Sequence, residues 1–400
     1  MKRAGTADLR LSGGSIPPWL FKRMKKLCLP IVESILQEYG HKHLLSKLSN
    51  PYWFQSFGAV IGMDWNSSGV TTAIMAAMKS SLNPHAKELG LYICGGKGKE
   101  SLKTPEELTQ IAEATGMDGN LLARSSKLSA KVDNTAVQDG FNLYLHSFVL
   151  SAAGDWSVIQ QGMEPKSGVA RRYHWHSANV QSFTENPHAA VCGENQGDIL
   201  NLVHAKAKST QKGIMEIVAE NPELILSEIP HMKLPTYGEV KSKDVDIKRL
   251  GAILWLANEQ QTHSFEELLL LKGLGPRTLQ SLTLVSEVIH GTPSRFRDPA
   301  RFSFAHGGKA GKPFPVPTAI YDETITVLKK AVEQSKIGHS EQSKAIESLH
   351  KIAERAEKDF IPKDDLQAVI KKENERSAQY GGKSVPMRKR CEGGEQLGFF

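Results

Sequence analysis

Long apolar runs and paired cysteines are both missing from this chain of 400 residues. No stretch of about 18 consecutive apolar residues occurs, which argues against a membrane-spanning helix. The four cysteines, Cys28, Cys94, Cys192 and Cys391, lie far apart and form no Cys-x-x-Cys pair. This spacing argues against a zinc ribbon or a disulfide framework and suits a reducing compartment. Because the first residues also lack the apolar region of a secretory signal, we expect a cytoplasmic protein with no membrane partner.

Acidic residues are in the minority. The chain carries 50 Lys and Arg against 43 Asp and Glu, a formal net charge of +7, and its pI is near 9.0. An excess of positive charge favours a polyanionic partner such as nucleic acid. Hydrophobic residues make up 40% of the chain, which is enough for a sizeable core, and the length predicts two or three structural units.

The stretch Glu267–Gly291 has the pattern of two helices joined by a tight turn, Gly273-Leu274-Gly275. Two glycines one residue apart let the backbone approach a ligand closely, and a new helix presents free N–H groups to a phosphate. The pattern resembles the helix-hairpin-helix module of many DNA-repair proteins and predicts a site for the DNA backbone. A plain turn between packed helices is the alternative. The residues predicted to contact DNA here are Lys272, Gly273, Leu274, Gly275, Arg277 and Thr278.

A second region of interest is a predicted β-hairpin, with strands over residues 141–150 and 156–161. The alternation of side chains along these strands places His146 near Gln160 or Gln161. We therefore expect a polar line beside one sheet. Its members are Asp133, Asp139, His146 and Gln160.

Carboxylates and histidine near basic residues suit metal-assisted phosphodiester cleavage, since carboxylates hold Mg²⁺ or Mn²⁺ and cations stabilise the developing charge. The predicted metal ligands are Asp64, Asp133, Asp139 and His146. The predicted catalytic residues are Asp133, Asp139, His146, Gln160, Lys97 and Lys99, the two lysines coming from a glycine-rich loop. The commonest nuclease core has Glu-x-Lys on a strand, whereas this strand has Gln160-Gln161. A structural polar network, with Asp64 capping a turn, is the alternative.

Two further basic segments contain aromatic residues, a composition that suits backbone contacts and base stacking. The first is the segment 171–176, and the second is a basic loop over residues 292–316. A poorly structured connector is the alternative for the second. The residues predicted to bind nucleic acid in these segments are Arg171, Arg172, His306, Gly307, Gly308 and Lys309.

Together these patterns predict an α+β fold whose candidate catalytic residues lie in an N-terminal mixed domain with a small sheet. A helical middle domain contains the glycine hairpin and the basic loop. C-terminal helices and a flexible basic tail follow. The predicted boundaries are 1–195, 196–316, 317–378 and 379–400.

Several unusual strings occur in order along the chain. They are Arg3-Ala4-Gly5-Thr6-Ala7-Asp8-Leu9, Asp64-Trp65-Asn66-Ser67-Ser68-Gly69, Gly95-Gly96-Lys97-Gly98-Lys99, Asp133-Asn134-Thr135-Ala136-Val137-Gln138-Asp139-Gly140 and His306-Gly307-Gly308-Lys309. In these strings the chain resembles an uncharacterised prokaryotic family called domain of unknown function 763. The resemblance implies a bacterial or archaeal cytoplasmic protein and implies no particular activity.

The sequence leaves three functions open. The first is a DNA-binding protein that acts as a metal-dependent nuclease in repair or processing, as a single chain or a homo-oligomer. The second is a monofunctional DNA glycosylase that uses Asp298. A lyase is disfavoured because Arg277 stands where a Schiff-base lysine would be, and arginine does not lose its proton. The third is a non-catalytic DNA-binding scaffold.

Overall fold

The structure is a computed structural model that describes residues 9–10, 16–63, 69–165, 168–229, 247–300 and 318–358. These residues belong to one compact unit, Met1–Asp359. The second unit, Phe360–Phe400, lies outside the described residues. The finer domain boundaries given above remain predictions. No helix in the described ranges is long and apolar enough to cross a membrane.

The fold is α+β, as predicted. Its α-helices are α1 Pro18–Leu48, α2 Pro51–Val60, α3 Gly69–Leu82, α4 Ala86–Leu89, α5 Lys99–Leu102, α6 Thr104–Thr115, α7 Gly119–Lys131, α8 Lys208–Ala219, α9 Pro222–Glu228, α10 Ile247–Glu259, α11 Phe265–Leu270, α12 Pro276–His290, α13 Thr318–Gln334 and α14 His339–Lys358. Its strands are β1 Leu9–Arg10, β2 Leu91–Lys97, β3 Val137–Gln138, β4 Asn142–Ser151, β5 Trp156–Glu164, β6 Val169–His176, β7 Ala190–Cys192, β8 Asp198–Asn201 and β9 Phe296–Arg297.

Two antiparallel sheets organise the described residues. The larger has the order β1-β6-β5-β4-β2, with β7 also paired to β6, and the smaller has the order β3-β8-β9. The predicted β-hairpin is confirmed as β4 and β5, with His146 directly opposite Gln160. Helical spacing around Ile199 predicts a helix, but residues 198–201 form β8. The reason is long-range pairing with β3 and β9, which local spacing does not reveal.

Helices cover both faces of the larger sheet. Phe148 on β4 and Val158 on β5 point into one core, which they share with helices α6 to α12. Their neighbours Val149 and Ile159 point into a second core, formed with α1, α2, α3, α13 and α14. The alternation of strand side chains therefore sends buried residues to both sides, and His146 lies on the Phe148 side.

The glycine hairpin packs against that first face. Helix α12 begins at Pro276, with Gly275 as its N-cap, and ends before Gly291, which has φ +63°. Helix α11 contacts α7, and α12 contacts a π-helical turn, Val132–Ala136, that follows α7. The two predicted helices and the turn between them are thus present as α11 and α12, and the helix-hairpin-helix motif for DNA remains a prediction.

Candidate functional site

A cleft of about 380 Å³ opens where the glycine hairpin meets the sheet. Its volume falls within the range of small-molecule sites, roughly 300–1,000 Å³. The residues that matter for its chemistry are Ser126, Lys127, Lys131, His146, Gly275 and Pro276. The cleft therefore combines a helix N-terminus, two lysines and a histidine.

The N-terminus of α12 forms one wall of the cleft. Gly273 has φ +92°, which lets the turn reverse sharply. Gly275 makes no side-chain cap, and a Cβ added there would meet nothing within 4 Å. The first-turn N–H groups of a helix have no partner inside it, so this end of α12 is open to an anion.

Two hydrogen bonds fix the hairpin, one from the end of α7 and one from β3. The Lys131 Nζ donates to the Leu274 carbonyl at 2.7 Å, and the Gln138 Nε2 donates to the Pro276 carbonyl at 2.7 Å. Burial lowers the pKa of Lys131. These contacts bring an ammonium group to the turn itself, beside the start of α12.

A hydrogen-bonded series of side chains lies at the inner end of the cleft. The Ser126 Oγ is 2.8 Å from the His146 Nε2, and the His146 Nδ1 is 2.9 Å from the Gln160 Oε1. Burial lowers the pKa of His146 to about 4. The imidazole is therefore neutral at physiological pH, because its pKa lies far below 7.

The series continues to Asp133 on the π-helical turn. The Gln160 Nε2 donates to the Asp133 Oδ2 at 2.6 Å, and the Trp175 Nε1 donates to the same oxygen at 2.9 Å. The His188 Nε2 lies 2.5 Å from the other carboxylate oxygen. Burial raises the pKa of Asp133, while the bonds from His188 and Trp175 act in the opposite direction. The structure thus joins three predicted site residues, His146, Gln160 and Asp133, through hydrogen bonds.

Asp139 belongs to a different cluster on the same face. Its Oδ2 accepts from the Arg171 Nη1 at 2.9 Å and from the Tyr173 hydroxyl at 2.6 Å. The same guanidinium binds both oxygens of Asp298 at 3.0 Å. Burial raises the pKa of Asp139, whereas the charge of Arg171 lowers it. Arg171, Asp139 and Asp298 are all buried, so this is an internal ion cluster.

Asp298, the residue that the glycosylase alternative requires, belongs to this cluster. The Asp298 carboxylate also accepts from the backbone N–H groups of Gln196 and Ala300, both at 2.9 Å. A general base needs an oxygen that faces a substrate proton. The oxygens of Asp298 face these internal donors instead, and a glycosylase role for this residue has no geometric support.

Arg171 and Arg172 do not lie on a surface. Their side chains are 0% exposed, and they occupy opposite faces of β6. Arg172 donates to Gln55 at 3.1 Å and packs over the Phe54 ring at 4.7 Å. In the prediction both contact DNA, but burial leaves them no access to a ligand in this conformation, and the structure gives them roles inside the fold.

The predicted charge stabilisers Lys97 and Lys99 are exposed. They do not line the cleft; they precede Ser101 and Leu102, which do. The Lys97 ammonium lies over the Tyr144 ring at 5.9 Å from its centroid. Both lysines therefore contribute positive charge near the cleft mouth and none at His146.

Only three of the four predicted metal ligands, Asp133, Asp139 and His146, lie within the described residues. Asp64 lies outside the described residues, as do His306, Gly307, Gly308 and Lys309. Within the described ranges no group of three or more His, Cys, Asp or Glu side chains is arranged to hold a metal ion. Asp133, Asp139 and His146 are each engaged by protein donors or acceptors, so they do not fit the predicted Mg²⁺ or Mn²⁺. That cofactor remains a prediction.

Two residues of the site, Ser126 and His188, are absent from the sequence-based candidates. Ser126 belongs to a row of buried serines on α7, with Ser125 and Ser129. Serines at helical spacing on a buried face are a weak signal for an internal partner. For His188, which lies in a loop 55 residues from Asp133, no local pattern points to the contact.

The low pKa of His146 predicts a loss of stability in acid. In the unfolded chain a histidine takes up a proton near its ordinary pKa of 6.5, whereas the folded ring stays neutral until about pH 4. The folded state therefore loses about 3 kcal/mol over this interval as pH falls, because each pKa unit corresponds to roughly 1.4 kcal/mol. Urea unfolding between pH 7 and pH 4 measures this loss.

Two variants isolate the contribution of this ring. His146→Gln removes the titration and is expected to flatten the pH dependence by about that amount. His350→Gln, on the exposed surface of α14, serves as the control and should follow the wild-type slope. An unchanged slope in His146→Gln would contradict the prediction.

Comparison with known proteins identifies a family for this chain but no activity. A sequence profile described as "Protein of unknown function (DUF763)" matches residues 5–316. No curated protein and no solved structure is similar enough to this chain to match.

Proposed function

We propose that this chain, which belongs to the DUF763 family of proteins of unknown function, binds the phosphate backbone of DNA at the N-terminus of α12. The observation that supports this most directly is the uncapped start of that helix at Gly275. Gly275 makes no side-chain cap, a Cβ added there would meet nothing within 4 Å, and Arg277 beside it is exposed. A phosphate there is favoured by hydrogen bonds and by the helix dipole together.

The positive charges around the hairpin favour a chain of phosphates, such as a DNA strand, over a single small anion. Lys272 and Arg277 flank the turn and are exposed, and Lys127 and Lys131 line the adjoining cleft. Cations on both sides of one phosphate site suit neighbouring phosphates along a strand. The net charge of +7 acts in the same direction over longer distances.

The contacts available are of the kind that position DNA without reading its bases. Backbone N–H groups and the ends of Lys and Arg side chains bind phosphate oxygens, which are the same in every sequence. We therefore expect binding that depends strongly on salt and weakly on base sequence.

Gly275→Val tests the proposal. The backbone at Gly275 is extended, with φ −127°, which suits valine, and the open space leaves the fold undisturbed. The added methyl groups would occupy the position of a phosphate oxygen. Affinity for a fluorescent DNA duplex, measured by anisotropy, should fall at least about tenfold, the effect of losing roughly 1.5 kcal/mol of charge-assisted hydrogen bonding.

The matched control is Gly338→Val. Gly338 precedes α14, accepts from two first-turn N–H groups of that helix and also has nothing within 4 Å of an added Cβ. It therefore repeats the substitution at another helix N-terminus. Equal affinities for wild type and Gly275→Val, with both variants folded, would rule out the hairpin as the binding site.

A further inference from the structure

Ser126 differs from the other buried serines of its helix. Ser125 donates to the Leu121 carbonyl at 2.8 Å, and Ser129 donates to the Ser126 carbonyl at 3.0 Å. Such bonds to the preceding turn are common for helical serines. The Ser126 hydroxyl instead meets the Nε2 of His146, on strand β4.

The surrounding network fixes the direction of that hydrogen bond. The Gln160 Nε2 donates to the Ser129 carbonyl at 3.1 Å and to the Asp133 Oδ2 at 2.6 Å. The Gln160 Oε1 is therefore the atom that faces His146, and as an acceptor it requires a proton on Nδ1. The Nε2 of the neutral ring is then free of hydrogen, and it accepts the proton of the Ser126 hydroxyl.

This arrangement has the parts of an activated nucleophile. A hydroxyl donates to a neutral imidazole, and the imidazole is held in one tautomer by a third side chain. Gln160 is the positioning residue, since it contacts the ring and not the cleft. Ser126 and His146, which are 1% and 5% exposed, line the same cleft as Gly275 and Pro276 at the start of α12. A phosphate bound at the start of α12 would lie in the same cavity as the Ser126 hydroxyl.

We propose that Ser126 is a nucleophile towards phosphodiesters, with His146 as its general base. The substrate class, a nucleic-acid phosphodiester, rests on the proposed DNA binding. The Ser126 Oγ forms a bond to phosphorus, and the bond from phosphorus to one sugar oxygen breaks. The hydroxyl proton passes to the His146 Nε2 and then to the leaving oxygen. Lys127, Lys131 and the N–H groups of α12 are the groups that face the developing negative charge.

A second half-reaction returns the enzyme to its starting state. Water attacks phosphorus and gives its proton to the His146 Nε2, while the bond between phosphorus and the Ser126 Oγ breaks. The serine oxygen takes back the proton. The net reaction converts a phosphodiester and water into a phosphomonoester and an alcohol, and it uses neither an oxidant nor an external reductant.

A fluorophosphonate probe tests the nucleophile without DNA. The Ser126 Oγ would displace fluoride from phosphorus and leave a phosphonylated serine, located by mass spectrometry of the peptides. Wild type and the Ser129→Ala control are expected to be labelled at Ser126. Ser126→Ala should lose the label, and His146→Gln should label at least about 100-fold more slowly, which is the usual contribution of a general base.

DNA provides the second arm of the experiment. Binding and nicking of a labelled duplex are measured on the same samples with EDTA present. Nicking together with Ser126 labelling supports the proposal, and protection of Ser126 from the probe by excess DNA supports it without any variant. The protection measurement keeps the test valid if Ser126→Ala fails to fold.

The outcomes separate the two proposals. DNA binding without labelling of Ser126 and without nicking overturns the nucleophile and leaves backbone binding in place. Labelling of Ser126 without DNA binding supports the nucleophile but overturns DNA as its substrate. Labelling that falls on other serines, at equal rates in wild type and Ser126→Ala, also overturns the assignment.

Discussion

Arg171→Met is expected to lower the free energy of unfolding by about 3–5 kcal/mol, the usual cost of removing one partner from a buried ion cluster. The guanidinium lies between Asp139 and Asp298, at 2.9 and 3.0 Å, and also donates to the Glu194 carbonyl. Methionine fills part of the space but leaves two buried carboxylates facing each other. Urea or thermal unfolding of the variant measures the loss.

A triple variant separates charge from packing. Arg171→Met combined with Asp139→Asn and Asp298→Asn removes all three charges, and replacing a whole buried cluster by neutral groups is often close to neutral in stability. We expect it to recover most of the stability lost by the single variant. A single variant that loses less than about 1 kcal/mol would show that the cluster contributes little.

Lys272→Gln with Arg277→Gln is expected to weaken DNA binding about 10- to 100-fold near physiological salt. Both side chains are exposed beside the turn, and Arg277 lies in the first turn of α12. Each lost phosphate contact should also reduce the slope of log affinity against log salt by about 0.9. Anisotropy titrations across a salt series measure the affinity and the slope together.

The control is a second double variant that removes the same two positive charges away from the hairpin. Lys26 on α1 and Lys87 on α4 are exposed, and α1 packs in the core on the opposite side of the sheet from the hairpin. Lys26→Gln with Lys87→Gln should leave the slope nearly unchanged. Similar losses in both double variants would indicate a general effect of charge and would contradict a local site at the hairpin.

The spacing of residues along the chain predicts those contacts of this site that lie within one helix or strand or between adjacent strands. The pairing of His146 with Gln160 follows from a short turn, because turn length sets the register of a hairpin. The contact of Ser126 with His146 joins a helix to a strand 20 residues away. Spacing alone does not state which face of α7 meets the sheet, so this contact is found only in the folded structure.

The burial of the two arginines of β6 is a second feature that the sequence alone does not predict. A basic segment with interleaved aromatics suggests an exposed surface, since antiparallel sheets often leave one face to solvent. Here α1, α2 and α3 cover one face, and α7 with α12 covers the other. Arg171 and Arg172 are therefore both buried, and their positive charges meet partners inside the fold.

The span of the Arg171 cluster has a consequence for how the chain is made. Asp298 follows Arg171 by 127 residues, and a ribosome needs roughly 6–25 s to add that length at about 5–20 residues per second. During this interval the nascent N-terminal part holds Arg171 and Asp139 without their third member. Gly275 and Pro276, which complete the cleft, also emerge late. We therefore expect the cleft to assemble only after Pro276 has left the ribosome, and a fragment that stops at residue 195 to lack both the complete cluster and the phosphate site.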